Sequence, residues 1–294
     1  MTARTDLTLL AVALVWGSSY LAAAQIVTPD TVPAMLVLRF GIAAAVLALL
    51  LVSRLHDFRR DELLLGMVFG AVLSLVLLLE TYGLTRTSAS NAGLLISLTI
   101  VLTPLLGRQK PPAPFYLAAC VAVAGVAVLS GGGFHGPGLG DALILLAAGV
   151  RALHLTTIDR LSHGRTLDSA RTTLVQLVTA LVVFAVLAPA GRGVVEVAAE
   201  LDARGWLLTI YLAIGCTVFA FLAQMWAVRR SSSSRVSLVL GTEPLWAAAF
   251  GVLVGGDAVT VTAVVGAVLI LTGVNWARTV ESRRAPPTLT PWQA

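Results

Sequence analysis

Ten stretches of this chain are apolar enough, for long enough, to cross a lipid bilayer, and they take up most of the sequence. A helix rises 1.5 Å per residue, so covering a hydrocarbon core of ~30 Å takes roughly 17–25 mainly apolar residues. Measured that way, the candidate spans are 7–26, 32–53, 62–82, 90–107, 114–131, 141–160, 168–188, 206–227, 234–254 and 259–277. Turn-forming residues separate them, among them Thr28-Pro29-Asp30, Pro111-Pro112, Gly131-Gly132-Gly133, Gly136-Pro137-Gly138 and Gly255-Gly256-Asp257. Composition agrees: 12% of the residues are charged and 57% hydrophobic, with a mean hydropathy of +0.91. A soluble domain carries about 25% charged residues. That argues against a water-soluble enzyme, a disordered chain and a secreted disulfide scaffold.

The few charges test the count of ten. With a cytoplasmic N-terminus, the cytoplasmic segments hold Arg4; Arg54, Arg59 and Arg60; Arg108 and Lys110; Arg160, Arg165 and Arg171; Arg229, Arg230 and Arg235; and Arg278, Arg283 and Arg284. The outer segments hold only Arg86, Arg192 and Arg204, while Arg39 and Arg151 fall inside spans. Basic residues collect on the cytoplasmic side of membrane proteins. The loop-by-loop alternation therefore predicts ten spans in the plasma membrane with both termini cytoplasmic, and it reads the basic excess as orientation rather than nucleic-acid binding. A cleavable signal peptide is the competing reading of Arg4, the run from Leu7 and Ala22-Ala23-Ala24. It would leave nine spans with the later loops unchanged, and the polar break Trp16-Gly17-Ser18-Ser19-Tyr20 speaks for a retained helix instead. Cys120 and Cys216 lie within apolar runs and read as small buried hydrophobes. The longest connection, near 189–205, leaves no room for a soluble domain, although Val194, Val195 and Val197 suit the outer interface.

Residues 82–90 match residues 226–234 at an offset of 144, with Arg86/Arg230, Ser88/Ser232 and Ser90/Ser234 identical, followed by Leu94/Leu238 and Gly107/Gly251. Both copies join the third to the fourth span of a five-span half. Five is odd, so the halves enter the membrane in opposite orientations, the arrangement found in many secondary transporters. Here the chain resembles the drug/metabolite transporter superfamily in its ten-helix form with two EamA-type domains. The resemblance is carried by Trp16-Gly17-Ser18-Ser19, by Pro33 with Arg39-Phe40, by Thr87-Ser88-Ala89-Ser90-Asn91-Ala92, and by Glu243-Pro244 with Gly266 and Gly273. It implies an all-α polytopic membrane protein with a first repeat at 1–131, an outer linker at 132–140, a second repeat at 141–277 and a cytoplasmic tail at 278–294. It further implies movement of a small metabolite, amino acid or drug-like molecule, with export favoured and no bound cofactor. Three positions depart from the family's pattern. Gly256-Asp257 stands where Gly-Glu is frequent, Gly107-Arg108-Gln109 lacks the acid, and Arg151 replaces a frequent aromatic.

Charges inside a bilayer are costly unless paired or hydrated, which makes each one a functional candidate. Arg151 lies about 15 Å into its span and Glu243 about 14 Å into its own, and His154, three residues on, shares the face of Arg151. These three are expected to line a central substrate cavity. Arg151 would attract an anionic group, and Glu243 or His154 would take up a proton if transport is proton-coupled. The alternative is a structural Arg151–Glu243 pair joining two spans. Arg39 and Glu80 form a second candidate pair, either an outer gate or a staple between spans two and three, with Gln176 in the place of Arg39 in the second half. Asn91, Thr99 and Gln224 supply hydrogen-bonding groups for substrate, and Trp16, Tyr20 and Trp246 supply rings to stack on it. Trp206, Tyr211 and Trp276 suit interfacial anchors. Gly66-x-x-x-Gly70 and Gly251-x-x-x-Gly255 suit close helix packing. The sequence lacks a phosphate-cradling Gly-x-x-x-x-Gly-Lys-[Ser/Thr] and a His-Glu-x-x-His. The expected partners are therefore a small-molecule substrate and the bilayer, with protons as a possible second cargo. A membrane-embedded enzyme acting on lipid through Arg151, His154 and Glu243 is the alternative class. Monomer and homodimer are equally compatible with these residues.

Overall fold

The computed structural model describes residues 3–54, 56–107, 112–131, 138–230 and 233–282, and among these every regular element is helical. In chain order they are α1 (Ala3–Ala24), α2 (Val32–Leu50), α3 (Arg60–Leu84), α4 (Ala89–Ile96), α5 (Thr99–Leu106), α6 (Ala113–Gly131), α7 (Leu139–Ser162), α8 (Ser169–Leu187), α9 (Val194–Glu200), α10 (Ala203–Ala213), α11 (Ala220–Arg230), α12 (Ser233–Leu240), α13 (Glu243–Leu253) and α14 (Val261–Ser282). A π-helical turn, Ile214–Phe219, joins α10 to α11 in one continuous rod. In a bilayer core no water is present to satisfy backbone amides and carbonyls, so a helix, which satisfies them internally, is what such sequences form.

Among the described residues, seven helical segments are long and apolar enough to cross a membrane, counting 89–106 and 203–230 as single rods. Three more, 113–125, Glu243–Leu253 and Val261–Ala277, are apolar but shorter. The chain is accordingly an all-helical, multi-pass membrane protein. Most of the expected linker, and the tail beyond residue 282, lie outside the described residues, as do Arg108, Lys110 and Ser232. The 189–205 connection is not a plain loop. Its helix α9 seats Val197 against Ala34 and Met35 of α2.

Short polar side chains start several helices. Asp168 accepts from the amides of Ala170 and Arg171, Asp202 from Gly205, and Ser88 from Asn91. These bonds occupy amides that have no partner within the helix. The helices then pack with backbones close together. α3 lies along both α7 and α8, α2 along α8, α1 and α4 along α13, α5 along α7, and α6 along α14. A Cβ on Gly66 would fall 2.6 Å from Cβ of Val175, and one on Gly70 2.5 Å from the carbonyl oxygen of Gln176. The Gly66-x-x-x-Gly70 face is therefore an intramolecular seam with α8. At the start of α3, the buried Glu62 accepts from the amides of Arg59 and Asp168 (3.0 and 2.9 Å) and pairs with Arg171 Nε at 2.9 Å. That cluster fastens one end of the α3–α8 seam.

Two of the side-chain expectations need correction. Cys216 is buried, but Cys120 is on the exposed surface of α6. Tyr211 is a helix–helix contact more than an interfacial anchor: its hydroxyl lies 2.5 Å from Ser18 Oγ on α1.

Candidate functional site

Two rods are interrupted near their middles. α4 gives way to α5 across Ser97 and Leu98, and α12 to α13 across residues 241 and 242. At the first break the amides of Leu98 and Ile100 reach back only three residues, to Leu95 and Ser97. At the second, Pro244 sits in the first turn of α13 and supplies no amide at all. Thr99 and Glu243 are the first residues of the helices that resume. The first turn of a helix presents free amides and the positive end of its dipole, which favours a carboxylate such as that of Glu243.

Around Glu243 the structure brings together four helices' worth of polar side chains. Tyr20 of α1 donates its hydroxyl to Glu243 Oε1 at 2.9 Å. Arg151 of α7 donates Nη1 to the same oxygen at 3.2 Å, and lies 4.0 Å from Glu80 Oε2 of α3. Its guanidinium also stacks on the Trp16 ring, with Cζ 4.3 Å from the ring centroid. Trp16 is in turn fixed by its indole N–H, which donates to the Cys216 carbonyl oxygen in the π turn at 2.9 Å, and by its contact with Phe221. Close approach of α1 makes this possible: a Cβ on Gly17 would fall 2.9 Å from the Glu243 carbonyl oxygen.

Two cavities open beside this cluster. One is lined by Ile96, Ser97, Thr99, Ile100, Leu240, Glu243 and Pro244 at the two helix breaks, with Arg151 and Leu155 of α7. The other is lined by Trp16, Ser19, Arg39, Leu73, Val76, Leu77, Glu80, Arg151, His154, Phe221 and Gln224. The first carries Ser97, Thr99, Arg151 and Glu243 as its polar residues, and the second carries Ser19, Arg39, Glu80, Arg151, His154 and Gln224. His154 is almost fully buried, and its Nε2 has no hydrogen-bond partner.

Of the residues singled out from sequence, Trp16, Tyr20, Thr99, Arg151, His154, Gln224 and Glu243 meet at the cluster or its cavities. Arg39 and Glu80 line the same cavity, with Arg39 Nε donating to Thr217 Oγ1 at 2.8 Å and Glu80 facing Arg151. Asn91 and Trp246 line neither cavity. The amide of Asn91 helps to cap α4, and Trp246 is 39% exposed on α13. Asp257, at one of the unusual positions, accepts from the Ser90 amide at 2.9 Å and so closes the start of α4; Gly256 before it has a φ of 73° that favours glycine. Thr217, Ser97 and Leu240 were not expected at the site. No signal in the sequence marks Thr217: the π turn that presents it to Arg39 is a feature of the folded rod.

The sequence profile described as the EamA-like transporter family matches residues 3–131 and 138–278. A curated relative, an uncharacterized transporter of Archaeoglobus fulgidus, is 28% identical over 277 residues, spanning 92% of this chain and 84% of that protein. A solved crystal structure superposes with a TM-score of 0.70 over 98% of this chain and 100% of its own, at 18% identity, a likeness of fold alone.

Proposed function

The chain belongs to the EamA-like transporter family, and we propose that it is a secondary transporter that moves a small metabolite across the plasma membrane, outward, by alternating access. The observation that carries this reading is the Arg151–Glu243–Glu80–Tyr20 cluster, which stands beside two helix breaks and contributes to the walls of two cavities. Broken helices whose termini meet near the bilayer midplane are where secondary transporters hold their substrates. In this reading Arg151 receives an anionic group of the cargo, Glu243 a donor, and Thr99, Gln224 and Trp16 complete its surroundings. Proton coupling would pass through Glu243 or His154.

Ten crossings in two inverted five-helix halves, with both termini cytoplasmic, complete the proposal. The breaks support it: α4 and α12 begin 144 residues apart, and so do α5 and α13. The pairings support it as well. Numbered by half, α2 packs on its counterpart α8, the α4–α5 rod on the α12–α13 rod, and α6 on α14. The packing of α3 on α7 and α8 is matched by that of the α10–α11 rod on α1 and α2. Such a pattern is what exchanging the halves about a two-fold axis in the membrane plane produces. The positive-inside distribution supplies the orientation.

The test is transport in proteoliposomes, screening radiolabelled amino acids and drugs with and without an imposed pH gradient. Counterflow of at least one solute is expected, strongly reduced by R151Q and by E243Q in protein that still elutes as a folded species. Wild-type rates in both variants would remove the cluster from the mechanism. Uptake of no solute alongside measurable lipid turnover would replace the transporter with an enzyme.

A further inference from the structure

The two cavities have one lining residue in common, and it is Arg151. Glu243 is on the wall of the first cavity and Glu80 on the wall of the second. The guanidinium between them has Nη1 3.2 Å from one carboxylate and 4.0 Å from the other. The one side chain common to both cavity walls thus has a carboxylate partner on each wall. We propose that Arg151 is a gate. Seated on Glu243 it closes the passage between the cavities, and its transfer to Glu80 joins them. What passes depends on the transporter reading above; the gate itself does not.

A charged gate in a low-dielectric interior must not be left unpaired as it moves, because an uncompensated buried charge is strongly unfavourable. Two carboxylates straddling one guanidinium meet that condition, since a displacement toward Glu80 gains one partner as it loses the other. The two seats differ in rigidity. Glu243 is fixed by the Tyr20 hydroxyl and by the first turn of α13, and its side chain is 6% exposed. Glu80 shares the Tyr20 hydroxyl, but its side chain is 17% exposed and it stands inside α3, away from a helix start. Glu243 is therefore the resting seat. The three residues stand on different helices, α13, α7 and α3, so a shift of α3 relative to α13 decides which carboxylate is nearer. The gate is in this way tied to movement of the halves against each other.

The competing role is a static staple between α7 and α13, and accessibility separates the two. In the full-length chain with C120S and C216A, a single reporter is placed in each cavity, S19C or L240C. Each is treated with a membrane-impermeant methanethiosulfonate from either face of sealed vesicles. With Arg151 and Glu243 intact, neither face should reach both reporters. In E243Q, which keeps the shape and the acceptor for Tyr20, one face should reach both. The slower reporter's rate should rise roughly tenfold or more, since the joined state of such an equilibrium is a minor one of about 0.1–10% before the substitution. R151A should do the same, and E80Q should not. If one face already reaches both reporters in the parent, or if neither face does in E243Q, the gate is wrong. Uptake by vesicles of the parent, with Arg151 and Glu243 intact, keeps the two claims apart. Unchanged accessibility in E243Q with normal uptake by the parent removes the gate and leaves the transporter. Changed accessibility in E243Q with no uptake of any solute by the parent does the reverse.

Discussion

At the scale of single residues, the site is organised by how Glu243 is held. Its Oε1 accepts from both Tyr20 and Arg151, so removing either donor leaves the other to carry the charge. Hydrogen bonds to charged groups contribute about 1.5–3 kcal/mol in soluble proteins, whereas side-chain bonds between membrane helices average about 0.6 kcal/mol. Y20F should accordingly destabilise by about 1 kcal/mol, seen as a modest fall in the unfolding temperature in detergent micelles. E243A is a different case, because it strips Arg151 of its nearer partner. Breaking a buried pair costs about 3–5 kcal/mol, and Glu80 at 4.0 Å offsets part of that, so about 3 kcal/mol is expected. The same melts check the order, with E243A well below Y20F. Equal melts for the two would mean that Glu243 is not the anchor of the cluster. These residues were legible in the sequence because charge is scarce in a membrane segment: Arg39, Glu80, Arg151 and Glu243 all stand in runs that otherwise avoid it. Where each side chain points was less legible. Helices that are apolar all round carry no stripe to mark the buried face, and so Trp246, a reasonable stacking residue by position, turns outward, while Arg39 finds Thr217 on a distant rod.

At the scale of elements, two departures from a regular helix position the chemistry. The π turn between α10 and α11 presents the Cys216 carbonyl to Trp16 and the Thr217 hydroxyl to Arg39. Thr217 Oγ1 also donates to the Leu212 carbonyl, five residues back. T217V keeps the shape and removes the acceptor, leaving the buried Arg39 Nε without it. A buried donor left unsatisfied costs about 1–3 kcal/mol. A loss in that range is expected for T217V and near-parent stability for T217S, compared by thermal unfolding. The α9 segment is held by charge as well as by Val197. Arg192 pairs with Glu196 at 2.6 Å and with Glu200, lies 4.0 Å from Asp30 Oδ2, and donates its amide to the Asp30 carbonyl at 3.0 Å. The hydrogen bond from Arg192 holds the Glu200 carboxyl below the usual range, and the Thr28 hydroxyl does the same for Asp30. A carboxyl lowered in the folded state stabilises fully above its unfolded value, about 4.3 for Glu and 3.9 for Asp, and that stabilisation is lost as pH falls through the lowered folded value. Amide exchange in α9, corrected for intrinsic rates, should therefore be flat from neutral pH down to the carboxylate range and rise only in stronger acid. A rise near pH 6 would assign the clip to another group.

At the scale of the whole molecule, the helical intervals were readable because the bilayer dictates both their composition and their length, and the 144-residue offset recurs in the starts of α4, α5, α12 and α13. Helix pairing was not readable, since close approach at Gly66 and Gly70 depends on which face meets α8, and a small-residue motif is silent about its partner. Two seams of the helix packing are closed by different means. On one side Gly66 and Gly70 bring α3 and α8 into backbone contact, and Glu62 with Arg171 and the Asp168 amide fastens the seam's end. On the other, Arg204 reaches Gln25 through an exposed bond of 2.5 Å. If inverted halves exchange conformations during transport, the tight seam must loosen while its counterpart between α10–α11 and α2 closes. The prediction is that bridging residues 62 and 171 stops the cycle. In a background of C120S and C216A, E62C and R171C would be joined by a short bifunctional thiol reagent in proteoliposomes, with a reducible linker to undo it. Transport should cease once the bridge has formed and return on reduction. The unbridged double variant should retain its cycle, because the glycine seam beyond residue 62 is intact. Continued transport with the bridge complete would mean that α3 and α8 travel as one body, and that the moving boundary lies instead along α13.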